Sequence, residues 1–111
     1  MTAVTEDVVR EITKTIVDTV QPLKIILFGS YARGDARPNS DLDFLIVEEE
    51  PFGPGRSRTK RIGNIYRSLP PYLIPVDILL YSKNEFDKWK DGINHVIARA
   101  HREGRILYER S

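Results

Sequence analysis

The hydrophobic positions near the N-terminus first follow a helical period and then a strand period. Apolar residues recur at helical spacing at Val9, Ile12, Ile16 and Val20. Thr5 can cap the start of this helix, and Pro22 ends it. The next apolar run, residues 24–28, is short and rich in β-branched side chains, which favours a buried strand. The pattern therefore predicts a helix followed by a strand.

Strand-like and helix-like segments continue to alternate towards the C-terminus. The predicted strands are 41–47, 76–81 and 105–108. A helical turn is predicted at 31–36, an amphipathic helix at 62–69, and a last helix from the capping-box sequence Ser82-Lys83-Asn84-Glu85 to Gly104, with an interruption at Gly92. Phe86 and Trp89 are expected in the core, and residues 48–58 are expected to form a mobile loop. This order predicts an α/β fold in which helices cover a sheet.

Composition bounds the kind of protein. The 111 residues suit one domain, 1–111, and a net charge of +1 gives no general attraction to nucleic acid or an anionic membrane. The absence of cysteine excludes disulfides, thiol nucleophiles and cysteine-ligated metals. No apolar run approaches the roughly 20 residues of a membrane span, and no signal peptide is recognisable, so a cytoplasmic protein is expected.

Three aspartates interrupt the predicted strands. Asp41 and Asp43 are two residues apart and share a face of their strand, while Asp77 lies between Val76 and Ile78 in another strand. Unpaired carboxylates are costly to bury, and a divalent cation removes that cost. Oxygen ligands alone suit Mg²⁺ or Mn²⁺. The alternative is that Asp41 caps a turn, Asp43 lies at an exposed strand end and Asp77 pairs with an arginine.

A turn of small residues precedes these aspartates. Gly29 allows close approach of the backbone, Ser30 offers a hydroxyl and an N–H group, and a helical turn starting near Tyr31 would add further N–H donors. Together they suit a phosphate group, although a plain strand–turn–helix has the same form. The stretch is not a Walker A loop, because Gly34 is followed by Asp35 and not by lysine.

These motifs together resemble a known signature. Gly29-Ser30, ten residues, then Asp41-x-Asp43, with Asp77 in a separate strand, resembles the DNA polymerase β-type nucleotidyltransferase superfamily. The fuller form G-S-x-A-R-G…S-D-L-D, residues 29–43, resembles the minimal nucleotidyltransferase (MNT) antitoxin group. The resemblance spans nearly the whole chain, including the tail at 102–109.

The resemblance implies a nucleotidyltransferase fold, a mixed sheet of about four strands flanked by helices, that carries a two-metal site. Asp41 and Asp43 would bind two Mg²⁺ ions, for which Mn²⁺ could substitute, and Asp77 would complete one metal site beside the attacking hydroxyl. Gly29 and Ser30 would hold the β- and γ-phosphates of ATP. Two further residues are candidates for nucleotide binding: Arg33 and Ser40. Arg33 is otherwise a surface residue or a partner of Asp35.

The MNT resemblance also implies a partner. Members of that group are antitoxins that transfer AMP from ATP to a tyrosine of a HEPN-family toxin, a helical RNase, so the leading hypothesis is the same reaction here, with a toxin–antitoxin oligomer as its setting. Neither a membrane nor direct nucleic-acid binding is expected. One alternative is a nucleotidyltransferase for small molecules such as aminoglycosides, and another is an antitoxin that neutralises its toxin sterically with a vestigial site.

Two other groups of residues invite functional interpretation. His95 and His101 are six residues apart and are better explained by surface or helix-end roles than by metal binding. A basic group could contact a partner or phosphates, although a solvated surface is the simpler interpretation. It consists of Arg56, Arg58, Lys60, Arg61 and Arg67.

Overall fold

A computed structural model of the chain describes residues 2–110 as alternating helices and strands. The helices are α1 (Ala3–Val20), α2 (Ser30–Arg33), α3 (Arg58–Ser68), α4 (Lys83–Trp89) and α5 (Val96–Glu103), and the strands are β1 (Lys24–Phe28), β2 (Leu42–Glu48), β3 (Val76–Ser82) and β4 (Arg105–Glu109). Within this part of the chain, no helix is both long enough and apolar enough to cross a membrane.

The four strands form one mixed sheet in the order β3-β2-β1-β4. Strand β1 is antiparallel to both β2 and β4, whereas β2 and β3 run parallel. A parallel pair needs a crossover connection, and α3 supplies it between β2 and β3. The predicted fold class, a mixed four-stranded sheet flanked by helices, is confirmed.

One face of the sheet is covered by α1 and α3. Val9, Ile12 and Ile16 of the predicted α1 stripe are buried here together with Ile65 of α3, and Val20 is partly buried. The sheet side of this layer is made of alternate strand residues: Ile25, Leu27, Leu42, Phe44, Ile46, Ile78 and Leu80. Because side chains alternate across a strand, the residues between them must point to the other face.

Helices α4 and α5 cover that other face. Phe86, Ile97 and Ala100 pack on Ile26, Leu45 and Val47. Gly104 follows the last residue of α5 and has an extended backbone conformation, so a left-handed conformation at the helix end is not the reason for a glycine here. A Cβ atom there would overlap Ile26 Cγ2 and the Ala100 carbonyl, so the close approach of α5 to β1 requires glycine. Asp43 and Leu45 of β2 lie on this face, as do Asp77 and Leu79 of β3.

Helix boundaries differ from the sequence prediction in α1, α2 and α3, and the helical turn predicted at 31–36 is Ser30–Arg33. Thr2, not Thr5, caps α1, and its side chain accepts a hydrogen bond from the Thr5 N–H. Residues 58–61 form the first turn of α3, which is capped by Ser57. The sequence prediction placed residue 58 in a loop and began the helix at residue 62. A polar first turn carries no apolar periodicity, which explains why the pattern alone began the helix late.

The prediction that Trp89 lies in the core is wrong. Its side chain is 40% exposed and stacks on His95, with 4.8 Å between the ring centroids. The interruption expected near Gly92 is real and extends over residues 90–95, which separate α4 from α5. Ile93 lies in this connection and is 81% exposed, so it does not belong to the buried apolar face of α5.

Candidate active site

Asp43 and Asp77 are direct partners across two neighbouring strands. The parallel register of β2 and β3 pairs Asp43 with Asp77, and adjacent strands lie about 4.8 Å apart. Both side chains project from the face covered by α5. Asp41 is exposed and immediately precedes β2. The fold thus brings together two carboxylates that are far apart in the sequence, with a third close by.

The electrostatics of Asp43 reflect this crowding. Its pKa is raised from 3.8 to about 6, mainly by burial and also by the negative charges of Asp77 and Asp41. The guanidinium of Arg33 acts in the opposite sense but does not offset them. A site in which carboxylates are crowded together favours the binding of a positively charged group.

The turn after β1 is shaped around the carboxylate of Asp43. Gly29 adopts a φ of 75° and a ψ of −157°, a conformation that side chains rarely allow. A Cβ atom at this position would overlap Oδ2 of Asp43, which therefore lies against the glycine backbone. Helix α2 begins at the next residue, Ser30, so the first N–H groups of a helix adjoin the carboxylates.

A cavity of about 270 Å³ lies between the sheet and α5. Its lining includes Gly29, Arg33, Asp43, Asp77, Val96 and Arg99. Carboxylates therefore form one part of the wall, and two guanidinium-bearing side chains form another. The larger groove of the protein, between α1 and β4, contains none of the aspartates.

Arg33 lines the cavity but already has acidic neighbours. Its Nε atom donates to Oδ2 of Asp35 over 3.3 Å, and Nη1 lies 3.7 Å from Oε2 of Glu103. Pairing with Asp35 was the alternative to phosphate binding that the sequence suggested for Arg33. Both interactions are partly exposed, and such pairs contribute little stability, so they leave Arg33 able to contact a phosphate as well.

Ser40 has a local role in the turn before Asp41. Its hydroxyl accepts a hydrogen bond of 2.8 Å from the Arg37 N–H, and its own N–H donates to the Arg37 carbonyl. It is not among the residues that line the cavity. Contact between Ser40 and a nucleotide remains a prediction.

The donor set fits a hard divalent cation in its chemistry. The carboxylates of Asp43 and Asp77 face the same space and offer oxygen ligands alone, which Mg²⁺ prefers. Within residues 2–110, no three His, Cys, Asp or Glu side chains are gathered closely enough to hold an ion as they stand. Neighbouring carboxylates repel one another, and a bound cation would offset that repulsion.

Sequence reasoning missed two residues next to the aspartates. The Tyr66 hydroxyl accepts a hydrogen bond of 2.8 Å from the Ile78 N–H; burial and, secondarily, the adjacent Asp77 raise the pKa of this tyrosine. Arg99 lines the cavity from α5. The helical spacing of Val96, Arg99 and Glu103 groups them on one face of α5, but only the fold shows what that face meets.

The basic group is committed to internal ion pairs more than the sequence indicated. Arg61 and Arg56 both bind the buried carboxylate of Glu48, at the end of β2. Arg58 donates to Glu85 over 2.7 Å and to the Leu80 carbonyl. The interpretation of these three side chains as a purely solvated surface is wrong, because they tie the β2–α3 connection to the sheet and to α4.

The histidines have the helix-end and surface roles expected from the sequence. Nδ1 of His95 accepts a hydrogen bond from the Ile97 N–H and caps α5. His101 is exposed, and its ring lies edge-on to Phe86 with 5.7 Å between centroids.

Comparison with known families and proteins gives consistent matches. The model of the nucleotidyltransferase domain family matches residues 8–107. A protein of Methanocaldococcus jannaschii named "putative protein adenylyltransferase" is 36% identical over 85 residues, which cover 77% of each chain.

Solved structures share the fold. A protein of Sulfolobus solfataricus described as a "putative nucleotidyltransferase" matches with a TM-score of 0.61 and 22% identity, over 94% of this chain and 79% of that one. A chain from a toxin–antitoxin structure solved with AMP-PNP matches with a TM-score of 0.58 and 20% identity, over 90% of this chain and 72% of that one.

Proposed function

The chain belongs to the nucleotidyltransferase domain family, and from that premise we propose that it is an antitoxin that transfers AMP from ATP to a tyrosine hydroxyl of a HEPN-family RNase toxin. The observation that carries the enzymatic part is the register of β2 and β3, which pairs Asp43 with Asp77 beside the bend at Gly29. The pKa of Asp43, raised to about 6 by burial and by the charges of Asp77 and Asp41, is typical of a functional site.

The reaction is an in-line displacement at the α-phosphorus. The tyrosine oxygen forms a bond to phosphorus, the bond to the bridging oxygen breaks, and pyrophosphate leaves. Asp77 accepts the proton of the attacking hydroxyl, since it is exposed at the cavity and can receive an acceptor from outside. Gly29 and Ser30 orient the β- and γ-phosphates through backbone N–H groups at the start of α2.

Asp41, Asp43 and Asp77 are the residues that would hold two Mg²⁺ ions, with Mn²⁺ as a substitute. When bound, these ions offset the charge of the phosphates and of the departing pyrophosphate. The chain contributes the oxygen ligands, and Asp43 must be deprotonated to serve as one. Its pKa of about 6 predicts that acid weakens metal binding.

Two comparisons support the choice of acceptor. The relative from Methanocaldococcus jannaschii is named for protein adenylylation, and one structural neighbour comes from a toxin–antitoxin assembly with an ATP analogue. The choice of a HEPN toxin and of tyrosine rests on the resemblance of residues 29–43 to the MNT group.

Mass spectrometry tests the proposal directly. The protein is incubated with ATP, Mg²⁺ and the product of the adjacent open reading frame, and the expected result is a mass gain of whole AMP units on that product, localised to tyrosine. The matched control is the Asp41→Asn, Asp43→Asn double variant, which should add none. Neutralisation of the toxin by this variant would favour a steric antitoxin. AMP transfer to an aminoglycoside in the absence of any protein partner would favour a small-molecule enzyme.

A further inference from the structure

The cavity beside the aspartates contains a positive charge that the fold itself does not use. Arg99 lines the cavity from α5. Among residues 2–110, no carboxylate lies within ion-pair distance of its guanidinium, and the side chain makes no hydrogen bond. Other arginines form ion pairs within the chain: Arg33 pairs with Asp35 and Glu103, and Arg58 pairs with Glu85.

The surroundings of Arg99 make this lack of a partner informative. Glu103 lies four residues later on the same helix, at the spacing that usually allows an ion pair, but its carboxylate is directed towards Arg33. Val96, one turn earlier, lines the same cavity. The helix therefore presents Arg99 to the space above Asp43 and Asp77, and its position is fixed by buried Ile97 and Ala100 beside it.

We propose that Arg99 binds the triphosphate of the nucleotide from the α5 side of the cavity, in addition to the contacts proposed for Gly29 and Ser30. This inference rests on the proposed function. A guanidinium presents a fork of N–H donors that matches two phosphate oxygens. The cavity volume of about 270 Å³ lies below that of most sites for whole drug-sized ligands, and it suits the phosphates while the base extends outside.

This contact gives the site two cationic side chains on its rim. Arg33 follows the Gly29 bend, Arg99 lies on α5, and both line the cavity, so phosphates bound there would meet two guanidinium groups. The aspartates alone would repel the same phosphates. Arg99 thus belongs to the nucleotide-binding residues, in addition to those that the motif contains.

Binding measurements test the assignment without depending on turnover. Isothermal titration with ATP and Mg²⁺, and NMR titration with AMP and Mg²⁺, are carried out on the wild type, Arg99→Gln, Arg99→Lys and the control Arg10→Gln. Arg10 is an exposed arginine of α1, on the opposite layer, and pairs with Asp7. Because charge-assisted hydrogen bonds are lost, Arg99→Gln should bind ATP roughly tenfold to a hundredfold more weakly, with a smaller loss for AMP. Arg99→Lys should be intermediate, and Arg10→Gln should match the wild type.

The outcomes separate this inference from the function on which it rests. Equal ATP binding by Arg99→Gln and the wild type overturns the inference and leaves the proposed function intact. Equal losses for ATP and AMP also overturn it, because they indicate a general effect on the site. If the wild type binds no ATP, both proposals fail. Arg99 is exposed, and an unchanged thermal midpoint of its variants verifies that folding is preserved.

Discussion

At the scale of single residues, the site is organised around the carboxylate of Asp43. This side chain lies against the Gly29 backbone, neighbours Asp77 on the adjacent strand and is partly buried. Its burial and the neighbouring charge of Asp77 disfavour the charged form. The residue is therefore expected to destabilise the metal-free protein while serving the bound state, and two substitutions separate these effects.

Asp43→Asn should stabilise the metal-free protein at neutral pH and abolish AMP transfer. The folded-state pKa of about 6 exceeds the usual 3.8, so the folded state binds more protons than the unfolded state between those values. Stability due to this group therefore falls as pH rises through about 4 to 6 and stays low above that. Thermal melts in EDTA should show the advantage of the variant growing over this range. An advantage that does not change with pH would contradict the assignment.

Gly29→Ala should cost both stability and activity. A φ of 75° is strained for alanine by about 1–3 kcal/mol, and the added Cβ would displace the carboxylate of Asp43. Gly55→Ala is the matched control, because Gly55 has a φ of 80° and open space around it. Urea denaturation should show similar losses of stability for both variants, and an AMP-transfer assay should show a loss for Gly29→Ala alone. Full activity of Gly29→Ala would show that the close approach is unimportant.

At the scale of elements, the connection from β2 to α3 depends on a buried charge. Glu48 ends β2 with only 3% exposure and accepts hydrogen bonds from Arg61 and Arg56. Arg61 lies in the first turn of α3, so the ion pair holds that helix against the strand before the crossover to β3. Because β3 carries Asp77, this connection also supports the site.

Glu48→Ala should destabilise the protein by about 3 kcal/mol, since removal of one partner leaves buried or half-buried charges uncompensated. The adjacent Glu49→Ala is the control, because the Glu49–Arg110 pair is exposed and should contribute less than about 1 kcal/mol. Urea denaturation measures both. Equal, small effects would mean that Arg56 and Arg61 find solvent easily and that the pair does not hold α3 in place.

At the scale of the whole molecule, the candidate site exists only where separate parts of the chain meet. Asp43, Asp77, Gly29 and Arg99 come from two strands, a turn and the α5 helix, and they surround one cavity. Ligand binding to such a site should stabilise the folded chain as a unit, because the unfolded chain has no site.

Mg²⁺ should raise the thermal midpoint of the wild type but not that of Asp43→Asn or Asp77→Asn. The reason is that both strands contribute ligands, so loss of either should remove most of the effect. Asp18→Asn serves as a control, because Asp18 is exposed on α1, on the other layer of the fold. Differential scanning fluorimetry at pH 8 is suitable, because Asp43 is then deprotonated. A full Mg²⁺ effect in Asp77→Asn would exclude a shared site.

Local sequence patterns were sufficient to predict the order of most helices and strands and to identify most of the candidate residues. Strand β1 was predicted at its observed bounds, and the capping box of Ser82 and Glu85 was located correctly, because local backbone preferences and short-range hydrogen bonds follow from neighbouring residues. The motif of residues 29–43 indicated the family that the comparisons establish. Its chemistry depends on residue types at fixed spacing, which a sequence displays directly.

Contacts between distant parts of the chain could not be predicted from local patterns. The pairing of Asp43 with Asp77 depends on the register of two strands separated by a helix, and the burial of Glu48 depends on the approach of α3. The exposure of Trp89 and the presence of Arg99 in the cavity depend in the same way on how α4 and α5 pack on the sheet. Periodicity shows which residues share a face, but the partner of that face is set by the packing of the whole chain.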